Sequence, residues 1–439
     1  MGVFLTTTII FLLTFTLVIW QPRKLDLDLG TIASAGAILT LMTGIIGTEE
    51  IALAWLAVVK PMLTLLAITT IIFILDEAGW FKIIAGSLVN TRRIEGRWLL
   101  GLVIVFATLM TAIFTNYGCL LLLTPVILEI GKLSGFKSRL IVFYILATNL
   151  IAQTSSLLLP QFNPINSIVT TFFHVPWLDY VLVMIPVHFV TLIGSLAILW
   201  FFLAPYIPQT RITNFDHQPL GVNLVRDPLI CQWGWNSIGL LILSCFWPKW
   251  SWLIASLTAL LMLALTQRWF TRDTPIISLQ QLKTSLPWHV FSYGLGIFFI
   301  VIGWGKAGLV TLLSTILTQL TDLGITLTAT GIGFLATLLS GLTLNLPVSI
   351  INSQAIQETF VTDQSISEIM IYANIIGCNI GAKISPLGSL ETLLLFALLW
   401  RQGFRLRWSQ YLRINLALGL PVLFMSLLSL AIWLPWVIA

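Results

Sequence analysis

Of the 439 residues, 58% are apolar and only 9% are charged, whereas a soluble domain carries about 25% charged residues. With 22 Lys+Arg and 17 Asp+Glu the chain cannot clothe a water-facing surface, which excludes an ordinary soluble enzyme, a disordered chain and a disulfide-stapled secreted domain. The net charge of +5 comes from basic residues set between apolar runs rather than gathered in one patch, so the expected partner is the lipid bilayer and not nucleic acid. The apolar runs are long and continuous rather than alternating, which points to an all-α polytopic membrane protein and not a β-barrel.

The first twenty residues are apolar, have no basic residue ahead of them and no A-x-A-like site, and read as a retained first helix. Further apolar spans fall near 30–46, 60–78, 98–130, 138–176, 180–204, 235–247, 251–268, 288–303, 326–358, 366–398 and 409–436. Four of these exceed the ~20 residues of one crossing. The spans 98–130 and 326–358 are interrupted by polar residues, and 138–176 and 366–398 each have a polar, proline-containing middle. Arg92, Arg93 and Arg97 precede 98–130, and Lys132, Lys137 and Arg139 follow it. By the positive-inside rule both ends are cytoplasmic, so this span is a re-entrant hairpin with its tip near residues 115–118. The span 326–358 has Asp322 before it and Glu358, Asp363 and Glu368 after it. It reads as a second hairpin entering from outside, with its tip near residues 344–347.

Carrying the orientation along the chain puts Arg23, Lys24, Arg211, Arg226, Arg268, Arg272, Lys283, Arg401, Arg405 and Arg407 inside. Glu49, Glu50, Asp179 and both termini fall outside. The expected fold is two inverted-topology repeats, 1–204 and 235–439, each of five transmembrane helices plus one re-entrant hairpin, with broken helices at the midplane. The polar stretch 205–234, with Pro205, Pro208, Pro219 and Pro228, reads as a cytoplasmic linker. A weak repeat agrees: Gln153, Pro160 and Asn163 precede Asn379, Pro386 and Ser389 by 226 positions each, and Asn116 precedes Asn345 by 229. Inverted repeats with broken helices are the sequence pointer to a secondary transporter whose site lies at the repeat interface.

Unwound backbone at membrane depth survives only where it lines protein or a water-filled cavity. The hairpin tips and the polar middles therefore mark the candidate site: Thr115, Asn116, Tyr117, Gly118, Gln153, Asn163, Asn166, Asn345, Asn379, Ser385, Gly388 and Ser389. These are mostly neutral hydrogen-bonding groups, which suit a small uncharged polyhydroxylated or weakly charged solute; the plain alternative is that they bridge helices. Lys383 is the one basic residue placed in the core, and a buried ammonium is a functional candidate by default. It carries a coupling proton, acts as a fixed cation on the broken helix, or pairs with Glu391. Glu391, expected lower in the cytoplasmic half, is the second candidate for proton coupling. Asp76 and Glu77 fit equally an interfacial carboxylate pair or a coupling role. Cys119 and Cys378 are soft-ligand candidates or small core hydrophobes. The four cysteines show no CxxC or Cys/His pairing, so no metal site is expected. His174, His188, His217 and His289 form no cluster and read as interfacial or structural. No G-x-x-x-x-G-K-[ST], H-E-x-x-H or G-x-S-x-G occurs, so the chain reads as a transporter rather than an enzyme, with no cofactor of its own. It uses an ion gradient or a separate ATPase.

At these same motifs the chain resembles the arsenical pump membrane protein (ArsB) family of the wider ion-transporter superfamily. The likeness runs through VIWQPRKL (18–25), LDEAGWF (75–81), FTNYG (114–118) with LTP (123–125), MIPVH (184–188), NLP (345–347), YANIIGCNIGAKISPLGSLETLL (372–394) and GLPVLF (419–424). The resemblance implies export of arsenite and antimonite across the cell's inner membrane, proton antiport, and an optional cytoplasmic arsenite-stimulated ATPase as partner. It also implies the two-hairpin inverted-repeat fold. The family's pattern carries Asp where this chain has Tyr117, Gln153 and Asn379, Ser-Asn where it has Phe162-Asn163, and Asn where it has Leu344. Glu391 is an acidic group the family pattern lacks.

The charge map makes a topological prediction. In a cysteine-free background, Arg92→Cys and Lys137→Cys should label from the same, cytoplasmic, side of the membrane. Labelling from opposite sides would turn the first hairpin into a crossing helix.

Overall fold

The computed structural model describes residues 2–20, 28–91, 96–160, 163–203, 227–244, 247, 250–268, 277–361 and 363–438, with side chains except at 56, 88–91, 96–98, 112–115 and 117. The described residues form helices and turns, and no strand. Most of residues 205–234, expected to be a linker, lie outside this set.

The first half comprises α1 (Gly2–Trp20), α2 (Leu29–Met42), α3 (Thr48–Ala54) continued through a π-turn (Trp55–Val59) into α4 (Lys60–Ala78), α5 (Trp80–Thr91), α6 (Gly96–Leu133), α7 (Ser138–Ser155), α8 (Pro164–Phe172) and α9 (Trp177–Leu203). The second comprises α10 (Pro228–Ser244), α11 (Ser251–Thr266), α12 (Leu279–Ser285) and α13 (Trp288–Trp304), the last continued through a π-turn (Gly305–Leu309) into α14 (Val310–Thr321). It ends with α15 (Ile325–Leu342), α16 (Asn345–Glu358), α17 (Gln364–Gly381), a 3-10 turn (Pro386–Gly388), α18 (Leu390–Arg401) and α19 (Trp408–Ile438). Among the described residues, six helical runs are long and apolar enough to cross a bilayer: 2–20, 48–78, 177–202, 288–321, 325–342 and 408–438. Their outward faces carry exposed Leu5, Leu12, Leu13, Phe189, Ile193 and Leu338, which water would disfavour and lipid accepts. Exposed Trp20, Trp177, Trp250 and Trp436 sit at or beside helix ends, where interfacial tryptophans belong. The chain is a polytopic, all-helical membrane protein.

Several elements depart from the hydropathic reading, among them α3, α12 and α14, which lie between the expected spans. Helix α5 occupies a stretch between spans; Gly79, at φ +88°, ends α4 in the left-handed conformation that favours glycine and lets α5 start anew. Helix α10 begins at Pro228 rather than 235, because Asp227 Oδ1 accepts from the Leu229 and Ile230 amides at 2.8 and 3.1 Å, and Pro228 needs no amide partner. Residues 228–234 are therefore helix rather than linker. Residues 115–118, expected to be unwound, are helical within α6.

Helix α6 is nonetheless not straight. The Cys119 thiol donates to Ala107 O at 3.3 Å, twelve residues away, where a straight helix would separate them by about 18 Å. Leu99 and Ile130 line one small cavity, although a straight helix would hold them about 46 Å apart. The run doubles back between Ala107 and Cys119, with Asn116 at the start of the return arm. In the second half the corresponding reversal is an open break at Thr343-Leu344 between α15 and α16. With 14 residues, α16 is about 21 Å long, too short for a 30 Å hydrocarbon core.

The polar middles break as their prolines dictate. Helix α7 stops at Ser155 and α8 restarts at Pro164, capped by Asn163 Oδ1 on the Ile165 amide at 3.0 Å. Helix α17 stops at Gly381 and α18 restarts at Leu390, capped by Ser389 Oγ on the Thr392 amide at 3.4 Å. Elements of the two halves pair reciprocally. Helix α2 packs on α13, and its counterpart in chain order, α11, packs on α4. Helix α6 packs on α7 and α15 on α17; α16 lies against α8 and α6 against α18; α9 packs on α19. Pro186-Val187-His188-Phe189 of α9 and Pro421-Val422-Leu423-Phe424 of α19 repeat the same pattern.

Close packing of α15 on α17 depends on glycines four apart. A Cβ on Gly377 would lie 2.3 Å from Gly333 O, and one on Gly381 2.4 Å from Thr337 Cα. Thr337 Oγ1 donates to Gly377 O at 3.1 Å across this contact. Such small-residue seams hold helices together in lipid, where apolar burial gives little drive. Gly377→Val should therefore cost about 1–3 kcal/mol through overpacking, read as a lower unfolding temperature in detergent. An unchanged temperature would show that the seam yields freely.

Candidate functional site

The last turns of the two broken helices meet. Gln153, near the end of α7, donates through Nε2 to Asn379 Oδ1, near the end of α17, at 2.9 Å. Asn163, past the first break, donates to the same Asn379 oxygen at 2.5 Å. Asn379 Nδ2 donates to Asn166 Oδ1 at 2.7 Å and to Ile375 O at 2.8 Å. Asn166 Nδ2 reaches Ser156 O at 2.8 Å and Leu159 O at 3.2 Å, which fastens the unwound segment to the start of α8. These side chains form an amide chain that crosses from one half to the other.

The return arm of α6 joins this chain through Asn116. Asn116 Nδ2 donates to Gln153 Oε1 at 2.9 Å and to Glu391 Oε1 at 3.3 Å. Glu391 pairs with Lys383, whose ammonium also donates to Ser389 Oγ at 3.2 Å. Ser389 Oγ shares a 2.8 Å hydrogen bond with Thr392 Oγ1. The break between α17 and α18 folds Lys383 and Glu391 together across eight residues, so Glu391 lies in the site rather than below it. Asn116, Gln153, Asn163, Asn166, Asn379, Lys383, Ser389 and Glu391 are each 4% exposed or less; the site is closed to solvent. Its single ion pair leaves it without net charge. Burying such a pair is costly and seldom a net source of stability, so packing alone does not account for it.

The other sequence candidates are placed differently. Ser385 Oγ caps its own 3-10 turn on the Leu387 amide at 3.2 Å. Gly388 serves close approach, since a Cβ there would lie 2.5 Å from Ala382 O. Asn345 is buried at the start of α16 with no partner for Nδ2. Gly118 is buried within α6, and the Thr115 and Tyr117 side chains lie outside the described residues. Cys119 is committed to Ala107 O, and Cys378 Sγ sits 3.3 Å from Asn374 Oδ1. Neither thiol joins the amide chain, and among the described residues no group of three His, Cys, Asp or Glu stands ready for a metal. Asp76 accepts from Gln402 at 3.0 Å and Glu77 from Arg401 at 3.0 Å, tying α4 to the end of α18. Lys132 of α6 joins the same knot through Gln402 at 2.9 Å.

His188, read as interfacial or structural, has a structural place, and the roles of Tyr180, Asn352 and Asn374 escape the sequence reading. His188 Nδ1 donates to Thr154 O at 3.1 Å, and the Tyr180 hydroxyl to Leu157 O at 2.9 Å. They satisfy carbonyls that the end of α7 leaves free. Asn352 Nδ2 donates to Asn374 Oδ1 at 3.0 Å, and Asn374 to Ser349 O at 3.3 Å, forming a second buried polar cluster between α16 and α17. The available signal is spacing: Ser349 with Ser353, and Asn374 with Cys378, lie four apart on facing helices.

Comparison with known proteins agrees over the whole length. The family described as arsenical pump membrane protein matches residues 6–434. The chain is 32% identical to an arsenical pump membrane protein of Escherichia coli over 427 residues, covering 96% of this chain and 97% of the relative. It is likewise 32% identical to one of Yersinia enterocolitica over 427 residues, with the same coverage. A putative arsenical pump membrane protein of Bacillus subtilis strain 168 is 24% identical over 443 aligned positions, 97% of this chain and 99% of the relative.

Asn379 is the node of the amide chain. Asn379→Leu keeps its volume but strips partners from Gln153, Asn163 and Asn166, each orphan costing about 1–3 kcal/mol. The variant should unfold at a clearly lower temperature than Asn149→Leu, which takes a hydrogen-bond partner from the Tyr411 hydroxyl alone. Equal unfolding temperatures would remove Asn379 from its central position.

Proposed function

The chain belongs to the arsenical pump membrane protein family, and on that premise we propose that it exports arsenite and antimonite from the cytoplasm by alternating access around the buried amide chain. The observation that carries this is the Gln153–Asn379 hydrogen bond, made between corresponding positions of two broken helices and closed off from water. The matching order of elements and the reciprocal packing of α2 on α13 and α11 on α4 support an inverted repeat. On this reading 1–204 and 235–439 are the repeats, α6 and α15–α16 are the re-entrant hairpins, and ten helices cross the inner membrane. Trivalent arsenic travels mainly as an uncharged trihydroxide, which fits a site of amides and hydroxyls with no net charge.

Coupling falls to Lys383 and Glu391. In the closed arrangement they neutralise each other. As one repeat rocks against the other and the pair separates, an aqueous cavity reaches Lys383 or Glu391; Lys383 gives up a proton to it, or Glu391 takes one. Alternation between the two sides then moves a proton inward as the solute moves outward. Glu391 is held by Lys383 rather than free to bind a cation, which weighs against a sodium site.

Everted vesicles test the proposal. Arsenite should accumulate when the lumen is acid and stop accumulating when an uncoupler collapses the gradient. Lys383→Met keeps the aliphatic stem and removes the titrating group; it should abolish gradient-driven uptake while retaining arsenite exchange. Undiminished proton-driven uptake by folded Lys383→Met would reject the coupling role. Transport that needs ATP and a soluble ATPase, and ignores the gradient, would assign the energy to that partner.

A further inference from the structure

Among the described buried side chains, six nitrogen or oxygen atoms have no hydrogen-bond partner; two belong to the site, Asn116 Oδ1 and Glu391 Oε2, and a third, Asn345 Nδ2, to the start of α16. Buried polar atoms in native proteins are overwhelmingly partnered, so each of these asks for an explanation. The first two follow from the network itself. Asn116 spends its amide nitrogen on Gln153 and Glu391, which leaves its carbonyl oxygen free. Glu391 spends Oε1 on Asn116 and Lys383, which leaves Oε2 free. Two hydrogen-bonded side chains thus each keep one unsatisfied acceptor.

The third follows from the repeat. At the offset of 226, Gln153 corresponds to Asn379 and Ile165 to Glu391. The hairpin residue Asn345 should therefore find Asn379 and Ile165 where Asn116 finds Gln153 and Glu391. Both polar atoms of Asn379 are already engaged, and Ile165 offers nothing polar. The amide nitrogen of Asn345 is left as a donor without an acceptor. The two tips are alike in position and opposite in hydrogen-bonding polarity.

We propose that these three atoms are the complement of the transported solute, with acceptors on the first tip and a donor on the second. The solute is an uncharged hydroxide that gives O–H bonds to Asn116 Oδ1 and Glu391 Oε2 and offers an oxygen lone pair to Asn345 Nδ2. Glu391 is then a specificity-determining residue: an oxyanion such as arsenate, singly or doubly charged near neutral pH, has fewer O–H groups for these acceptors and is repelled by the carboxylate. This rests on the site reading given above and adds to it the atoms that read the cargo's hydroxyls and the residue that discriminates against an anion.

Equilibrium binding to purified protein in lipid nanodiscs separates the possibilities, with arsenite as probe and arsenate as the oxyanion competitor. Asn345→Leu removes an orphan donor of similar volume. A merely structural orphan would leave arsenite affinity unchanged. The proposal expects the unfolding temperature to hold or rise while arsenite affinity falls about tenfold, the loss of one ~1.4 kcal/mol bond. Glu391→Gln replaces a free acceptor by an amide; it should weaken arsenite binding about tenfold or more and let arsenate, inert against the wild type, begin to compete. Wild-type affinity in Asn345→Leu, or an unchanged arsenite-to-arsenate ratio in folded Glu391→Gln, overturns the proposal. Wild-type protein that binds no arsenite overturns the export reading instead. The same variants are then scored with boric acid and glycerol against phosphate: a fall in neutral-hydroxide affinity in Asn345→Leu sustains the polarity assignment, and failure of every neutral hydroxide to bind ends it.

Discussion

The bond between Gln153 and Asn379 joins two helices at the points where each stops being a helix. In hydrocarbon an unsatisfied polar group costs several kcal/mol, so every amide drawn into this chain requires another. Gln153 draws in Asn116 from the first hairpin, Asn379 draws in Asn163 and Asn166 from beyond the first break, and Asn166 in turn holds the unwound carbonyls of Ser156 and Leu159. The hairpin, both breaks and both halves are thereby registered by neutral hydrogen bonds. Each contributes about 1 kcal/mol. Such bonds are strong enough together to define one closed arrangement and weak enough singly to be exchanged, as the alternating-access reading requires.

What surrounds the chain is built to keep the breaks from healing or collapsing. Proline at the restart of α8 and in the 3-10 turn forbids continuous helix. Asn163 and Ser389 cap the restarts, and His188 and Tyr180 take up carbonyls at the end of α7. Glycines at 377 and 381 bring the broken helix α17 against α15 at backbone distance. The ends of the bundle are tied more loosely. Lys306 reaches Glu50 at 2.7 Å beside the two π-turns, and Arg401 and Gln402 reach Glu77 and Asp76 at the other end. Ion pairs this accessible are worth about 1 kcal/mol or less. The ends therefore add little to the hold of the buried amide chain.

The sequence shows the site better than its supports. Charges flanking 98–130 and the offsets of 226 and 229 are enough to single out Asn116, Gln153, Asn163 and Asn379, because a polar residue with proline nearby is conspicuous in an apolar run. Helix α5 and the start of α10 are hidden, since both begin in stretches whose polarity reads as loop, and only cap geometry at Gly79 and Asp227 reveals them. Residues 115–118 stay helical because the reversal of α6 is made within the run, between Ala107 and Cys119, and no residue pattern marks such a turn. Glu391 is misplaced by counting along the chain: eight residues of straight helix would carry it about 12 Å from Lys383, whereas the break folds it back to touch. The Asn352–Asn374 cluster is missed because paired polar residues inside helices look the same in sequence whether they line a site or only bridge neighbours.

The two halves share a plan but not a charge. At the offset of 226, Lys383 and Glu391 correspond to Leu157 and Ile165. On the inverted-repeat reading, two repeats identical in chemistry would give inward- and outward-facing forms of equal energy, and without an ionisable group neither form would carry a coupling proton. Placing one desolvated ion pair in the second repeat alone removes that degeneracy. Separating the pair costs its mutual attraction and regains hydration, and these two amounts differ according to which side the water enters from. A proton on Glu391, or one lost from Lys383, cancels the attraction and changes that balance. On the alternating-access reading, the same asymmetry that leaves Asn345 without an acceptor thus gives the proton gradient a place to act.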